Sequence, residues 1–154
     1  MASTTANRPL NQESFTLANG AQVGFFGGFV FALLLHLVGQ IAAIGTLFGN
    51  RSVIVGWVAI LLLGIVGGLV YTFLLEVDPI ADLLVEPADS VAVGLGYGFV
   101  LWLFGTLIAV PIWGNAIMGY ELGFPYIELV TLPGLLVYGG VVGGLYYYEV
   151  SKNS

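Results

Sequence analysis

The chain has 154 residues, of which 58% are hydrophobic and only 8% are charged, and its mean hydropathy is +1.00. A soluble domain usually carries about 25% charged residues, so this chain has too few to cover a surface that faces water. Three basic residues against nine acidic ones exclude a nucleic-acid-binding protein, because clusters of Lys and Arg are needed to neutralise phosphates. With no cysteine, disulfides and thiol catalysis are also excluded. These values predict an integral membrane protein in contact with the lipid bilayer.

The first half of the chain predicts a polar segment followed by one helical hairpin. Residues 1–20 are polar and lack the pattern of a cleavable signal peptide. Residues 21–48 are almost entirely apolar and are long enough to cross a bilayer with tilt. The turn-forming residues 49–52 interrupt the apolar sequence, and residues 53–75 contain no charge over about the length that a hydrocarbon core requires. We therefore expect two antiparallel spans at 21–48 and 53–75.

The second half predicts another hairpin after a loop. Residues 76–90 contain five acidic residues and no base, which indicates an aqueous acidic loop. A third span is predicted at 91–118, with a kink at Pro111 because proline removes a backbone donor. A fourth, shorter span is predicted at 130–148, followed by a C-terminal tail at 149–154. The predicted fold is an all-α membrane protein with four transmembrane helices.

Four spans place both termini and the acidic loop on the same side of the membrane. Arg8 and Lys152 fall on that side and Arg51 falls on the other. Because the positive-inside rule counts basic residues, this distribution predicts a multi-pass protein of the cell membrane with cytoplasmic termini.

The two halves resemble each other, which predicts a parallel internal repeat of two tandem hairpins. An offset of 70 residues places Gly24 and Gly28 on Gly94 and Gly98. An offset of 76 residues places the segment 64–71 (GIVGGLVY) on the segment 140–147 (GVVGGLYY). Repeats with an even number of spans have the same orientation and are related by an axis along the membrane normal.

Many of the repeated positions are glycines four residues apart, and such residues share one face of a helix. A glycine face allows close contact between helices in lipid, where association has no hydrophobic drive. We predict packing within one bundle; a homodimer interface or a substrate path lined by backbone are the alternatives. The predicted helix-packing positions are Gly24, Gly28, Gly64, Gly68, Gly94, Gly98, Gly140 and Gly144.

The polar residues inside the predicted spans are candidates for chemistry, and they are His36, Gln40, Thr106 and Asn115. His36 lies near the middle of the predicted first span, and an ionisable group at membrane depth is a functional hypothesis by default. A neutral histidine bonded to a neighbouring helix, proton or ion handling, and haem ligation are the three interpretations. No metal site is predicted, because a span offers no second ligand to a single histidine.

Thr106 and Asn115 flank Pro111 in the third predicted span. Packing around a kink is the simpler interpretation, and a broken helix at a transport site is the alternative. The chain contains no pattern of a nucleophile with its base, no pair of carboxylates inside a span and no phosphate-binding loop. We therefore expect no enzymatic activity.

With one lysine, two arginines, nine acids and two Gly-Gly-Leu-x-Tyr segments at 67–71 and 143–147, the chain resembles the small four-span membrane proteins of halophilic archaea. The resemblance implies an acidic exposed surface and adds no functional residue. The function expected from the sequence is an accessory or structural component of a membrane complex, either a homo-oligomer or part of a larger assembly. A small transporter or channel, and a haem-binding electron-transfer subunit that uses His36, are the alternatives.

Overall fold

The computed structural model describes residues 2–75, 86–124 and 129–152, and its side chains are described for 17–75, 86–124 and 129–149. Every regular element in these ranges is a helix, which confirms the predicted all-helical class. The elements are α1 (Ala2–Leu37), α2 (Ile41–Thr46), α3 (Val53–Leu75), α4 (Pro87–Leu101), a π-helical segment (Trp102–Ala109), α5 (Val110–Ala116) and α6 (Thr131–Lys152).

Three helical stretches in the described residues are long and apolar enough to cross a membrane, and they are Leu17–Leu37, Val53–Leu75 and Pro87–Ala116. Of the four crossings expected from the sequence, the structure therefore supports three. The exception is α6, which covers the predicted fourth span at 130–148 but does not reach the same apolarity. Its 22 residues include five glycines and four tyrosines, which lower the mean hydropathy without adding charge.

The first predicted span, 21–48, is not one helix. The first helix ends at Leu37, where Gly39 adopts a left-handed conformation with φ of 76° and the Gln40 N–H donates to the Leu35 carbonyl at 2.7 Å. This hydrogen bond closes the helix as in other left-handed C-caps. The short helix α2 follows. At the other end, the predicted polar segment 1–20 is helical from Ala2 onward.

The predicted acidic loop, 76–90, ends earlier than expected, and its residues 76–85 lie outside the described ranges. Helix α4 begins at Pro87 because Glu86 and Asp89 form a capping box, in which the Glu86 N–H donates to the Asp89 carboxylate at 2.9 Å. Proline in the first turn loses no hydrogen bond, since the first N–H groups of a helix have no partner within it. Two acidic residues therefore start a helix inside the predicted loop.

The expected kink at Pro111 is preceded by a π-helical segment. Eight residues, Trp102–Ala109, have the wider π geometry, and the Val110 N–H bonds to the Gly105 carbonyl five residues back. Pro111 then lies in the first turn of α5, where its missing donor costs least. The predicted span 91–118 is therefore three consecutive helical pieces, and α5 ends at Ala116.

Helices α1 and α3 contact each other backbone to backbone. A Cβ atom added at Gly24 would meet the Gly64 carbonyl oxygen and would lie 2.9 Å from the Gly68 α-carbon. A Cβ atom added at Gly28 would lie 3.0 Å from the Ile60 carbonyl oxygen. No side chain larger than hydrogen fits at these positions without movement of a backbone.

Helices α4 and α6 make a matching contact. A Cβ atom at Gly94 would meet the Gly139 carbonyl oxygen and would lie 3.0 Å from the Gly143 α-carbon, and one at Gly98 would meet the Leu135 carbonyl oxygen. In contrast, Gly140 and Gly144, which the sequence predicts as packing positions, face only side chains, at 3.3 and 3.4 Å. The tight backbone contact on α6 lies one residue earlier, at Gly139 and Gly143.

The two hairpins are joined through α1 and α6. Gly27 of α1 faces the Tyr138 ring and the Val142 side chain, and Gly134 of α6 faces the Phe31 ring. Val23 and Leu35 of α1 and Val142 of α6 are fully buried, whereas many large apolar side chains of the described residues are exposed. Examples of exposed residues are Ile54, Leu62 and Phe104, at 74%, 59% and 62% exposure. This distribution indicates a bundle surrounded by lipid.

Two glycines on α4 allow a direct test of the backbone contact. Gly94→Ala should lower the free energy of unfolding by about 1–3 kcal/mol, because its Cβ would overlap the Gly139 carbonyl. Gly96→Ala, two residues away, should be neutral or stabilising by up to about 1 kcal/mol, since nothing lies within 4 Å of its added Cβ. Unfolding in mild detergent or bicelles measures both. Equal effects would show that the contact with α6 is absent.

Candidate functional site

The four polar residues expected from the sequence do not form one site. His36 lies at the end of α1, Gln40 in the turn that follows, Thr106 in the π-helical segment and Asn115 on α5. Among the described side chains, no hydrogen bond joins any two of them. Each therefore has to be considered with its own neighbours.

His36 is exposed and pairs with Trp57 of α3. The Trp57 indole N–H donates to His36 Nδ1 at 3.3 Å, and the two ring centroids are 6.0 Å apart. The Phe29 ring also packs against Trp57, with centroids 5.5 Å apart. The sequence suggested that His36 lies near the middle of the first span. Because α1 ends at Leu37, His36 lies instead at the end of that helical stretch.

The hydrogen bond from Trp57 assigns the tautomer of His36. An Nδ1 atom that accepts a hydrogen bond carries no proton, so a neutral ring holds its proton on Nε2. Histidines that ligate a metal or haem iron usually have the opposite arrangement, in which Nδ1–H donates to a second group and Nε2 binds the metal. While Nδ1 accepts this bond, His36 lacks the Nδ1–H donor that such ligands usually use.

Gln40 and Thr106 have no shared role in the structure. The sequence suggested that Gln40 lies one turn beyond His36 on the same helix face, but the helix ends between them and Gln40 is exposed in the turn. Thr106 is buried, 8% exposed, within the π-helical segment.

Asn115 fixes the backbone of the loop that follows α5. Its side-chain Nδ2 donates to the Leu122 carbonyl at 2.9 Å, and its Oδ1 accepts from the Leu122 N–H at 2.6 Å. The side chain also borders an open, shallow cleft of about 440 Å³ that is otherwise apolar. Both hydrogen-bonding groups of the amide are thus used by one residue of the loop, which supports a structural role.

The short helix α2 is tied to the second hairpin by aromatic donors. The Trp113 indole N–H donates to the Leu47 carbonyl at 2.5 Å, and the Tyr120 hydroxyl donates to the Thr46 carbonyl at 2.6 Å. These carbonyls lie at the C-terminal end of α2, where helical acceptors have no partner within the helix. This contact was not predicted from the sequence, although Tyr and Trp, which are enriched near membrane boundaries, were the available signal.

Two buried tyrosines join the hairpins in the interior. The Tyr97 hydroxyl of α4 donates to the Gly67 carbonyl of α3 at 2.6 Å, and the Tyr138 hydroxyl of α6 donates to the Gly64 carbonyl at 2.6 Å. Within the second hairpin, the Ser90 hydroxyl of α4 donates to the Gly143 carbonyl of α6 at 2.7 Å. Helical carbonyls accept these additional bonds because each oxygen has two lone pairs. The sequence indicated none of these three donors as a site residue.

No group of three potential metal ligands is found in the described part of the chain. Comparison with known proteins finds no matching family model, no matching curated protein and no matching solved structure.

Asn115 provides a test of the loop contact. Asn115→Ala should increase hydrogen–deuterium exchange at the Leu122 amide and lower the free energy of unfolding by about 1–2 kcal/mol, because the bond to Oδ1 is lost. Asn115→Asp keeps the acceptor and should retain protection of that amide. If both variants exchange like the wild type, Asn115 does not hold the loop.

Proposed function

We propose that this chain is an integral membrane protein with a structural, non-enzymatic role as an accessory component of a membrane complex. The proposal rests on the hydrogen-bond partners of the polar side chains. The donors Ser90, Tyr97, Tyr138 and Trp113 all bond to backbone carbonyls of neighbouring elements. These groups stabilise the bundle and are not arranged around a space in which a substrate would react.

The proposal includes α6 as a fourth crossing. Its 22 residues correspond to about 33 Å at 1.5 Å per residue, which exceeds the hydrocarbon thickness of about 30 Å. Its glycine face lies on α4, and its Tyr138 and Val142 lie against α1. A helix shielded by protein on these sides needs less apolar surface than one surrounded by lipid, which accounts for its lower hydropathy.

The proposal also includes a tandem repeat of two hairpins. In the first hairpin Gly24 meets Gly64 and Gly68, and in the second Gly94 meets Gly139 and Gly143. Gly28 meets Ile60 where Gly98 meets Leu135. Contact residues on the first helix of each hairpin are 70 residues apart, and those on the second helix are 75 residues apart. The sequence repeats have offsets of 70 and 76 residues.

The proposal also covers the orientation, the assembly, the source and the cofactor of the protein. Arg8 and Lys152 against Arg51 favour cytoplasmic termini in the cell membrane. The exposed apolar faces suit contact with lipid, with a second copy or with a larger complex. The acidic composition remains in keeping with a halophilic archaeal source. Haem is the least favoured cofactor, because the Trp57–His36 hydrogen bond opposes ligation through Nε2.

Single cysteines test the number of crossings, because the natural chain has none. The variants are Arg51→Cys, Glu86→Cys, Gly123→Cys and Lys152→Cys. With four crossings, a membrane-impermeant maleimide added to sealed vesicles should label positions 51 and 123 from one side, and positions 86 and 152 from the other. Labelling of position 152 from the same side as position 123 would show that α6 does not cross.

The accessory role predicts a defined assembly in the native membrane. Extraction in mild detergent followed by native mass spectrometry should give a discrete complex, either of several copies or with another membrane protein. The transporter alternative predicts flux of ions or solutes by the purified protein in liposomes. Flux that a His36→Ala or Thr106→Val variant abolishes, together with an extracted monomer, would overturn the structural role.

A further inference from the structure

Two buried polar atoms near the terminal end of the bundle have no hydrogen-bond partner among the described residues. They are Nδ2 of Asn19, whose residue is 5% exposed, and the hydroxyl of Tyr71, whose residue is 1% exposed. Buried donors are almost always satisfied, by protein groups or by bound water, because losing hydration without a replacement is costly. Two such groups in one small bundle call for a common explanation.

Asn19 and Tyr71 lie at the same level of the bundle. Gly20, which follows Asn19, faces α3 beside Thr72, which follows Tyr71. A Cβ atom at Gly20 would lie 3.1 Å from the Gly68 carbonyl oxygen and 3.2 Å from the Thr72 hydroxyl oxygen. Asn19 lies within the apolar helical stretch Leu17–Leu37.

Asn19 lies on the side of α1 that faces α6. Residues 19, 23 and 27 share one face, because residues four apart lie above each other on a helix. Val23 is 1% exposed, and Gly27 faces Tyr138 and Val142 of α6. The Asn19 side chain is therefore directed toward α6 and not toward lipid.

Tyr71 projects from α3 toward α4 and α6. Its ring lies 5.0 Å from that of Tyr97 on α4 and 5.8 Å from that of Tyr146 on α6, measured between centroids. The side chain of Ser90 is a polar neighbour of the Tyr71 hydroxyl, although the two hydroxyls do not make a hydrogen bond of good geometry. Ser90 donates its own proton to the Gly143 carbonyl, so its oxygen remains able to accept.

We propose that Asn19, Tyr71 and Ser90, here called the polar layer, bind a water molecule. The water would accept hydrogen bonds from Asn19 Nδ2 and the Tyr71 hydroxyl and donate one to Ser90 Oγ. Three polar partners are typical of a buried water. The three side chains are uncharged, and the rings around Tyr71 limit the space, so a water suits the site better than an ion or a larger ligand. The proposal is independent of the proposed function.

Tyr71→Phe tests the site without changing the shape of the side chain. If the hydroxyl binds water, the variant should lower Tm by about 2–4 °C, because one bond of a satisfied network is lost. If the hydroxyl is truly without a partner, removing it relieves an unfavourable burial and Tm rises. An unchanged or increased Tm would overturn the proposal.

A double-mutant cycle tests whether Asn19 and Tyr71 share the water. Asn19→Leu combined with Tyr71→Phe should lower Tm by clearly less than the two single changes added together, because the second change acts on a site already lost. Tyr138→Phe is the matched control: it removes a hydroxyl bonded directly to Gly64 and should be additive with Asn19→Leu. Additivity of the Asn19 and Tyr71 changes, or equal coupling in the control, would contradict a shared water.

Discussion

The structure depends on the direct contact of helix backbones at glycine. In lipid, the burial of apolar side chains does not favour helix association, because the acyl chains are equally apolar. Close packing and hydrogen bonds between helices have to supply the stability. At Gly24 and Gly64, and again at Gly94 and Gly139, a single added carbon would overlap a carbonyl oxygen of the neighbouring helix. Both hairpins are built on this contact.

Close approach of the helices also brings their carbonyl oxygens within reach of side-chain donors. The Tyr138 hydroxyl on α6 bonds to the Gly64 carbonyl of α3, beside the glycine contact itself. Ser90 on α4 bonds to the Gly143 carbonyl of α6 in the same way. Glycine exposes a carbonyl that a larger residue would cover, so the residue that permits packing also provides the acceptor. The close packing of the helices and the use of their polar residues thus have one physical cause.

The sequence predicted the all-helical class and three of the apolar spans, because long apolar segments have few alternatives in a membrane. It predicted the end of α1 poorly, since Gly39 is one of many glycines and only its left-handed conformation distinguishes it. It also placed the contact face of α6 at Gly140 and Gly144, one residue from Gly139 and Gly143. Paired glycines make two faces equally plausible, and only the partner helix decides between them.

The polar residues were harder to interpret than the helices. The sequence grouped His36 with Gln40 by helical spacing, and a helix end that separates them removed that basis. It could not show that Asn115 bonds to Leu122 or that Tyr97 bonds to Gly67, because those partners are backbone groups that any residue provides. The rotation of each packed helix about its axis decides which donors meet which carbonyls. The periodicity of the sequence does not specify that rotation.

The backbone contact can be measured directly in a lipid bilayer. Solid-state NMR of protein labelled with ¹³C at the glycine α-carbons should show cross-peaks between Gly24 and Gly68 and between Gly94 and Gly143, because the contacts bring these backbones together. Assigned resonances for all four residues with no cross-peak between the helices would contradict the account.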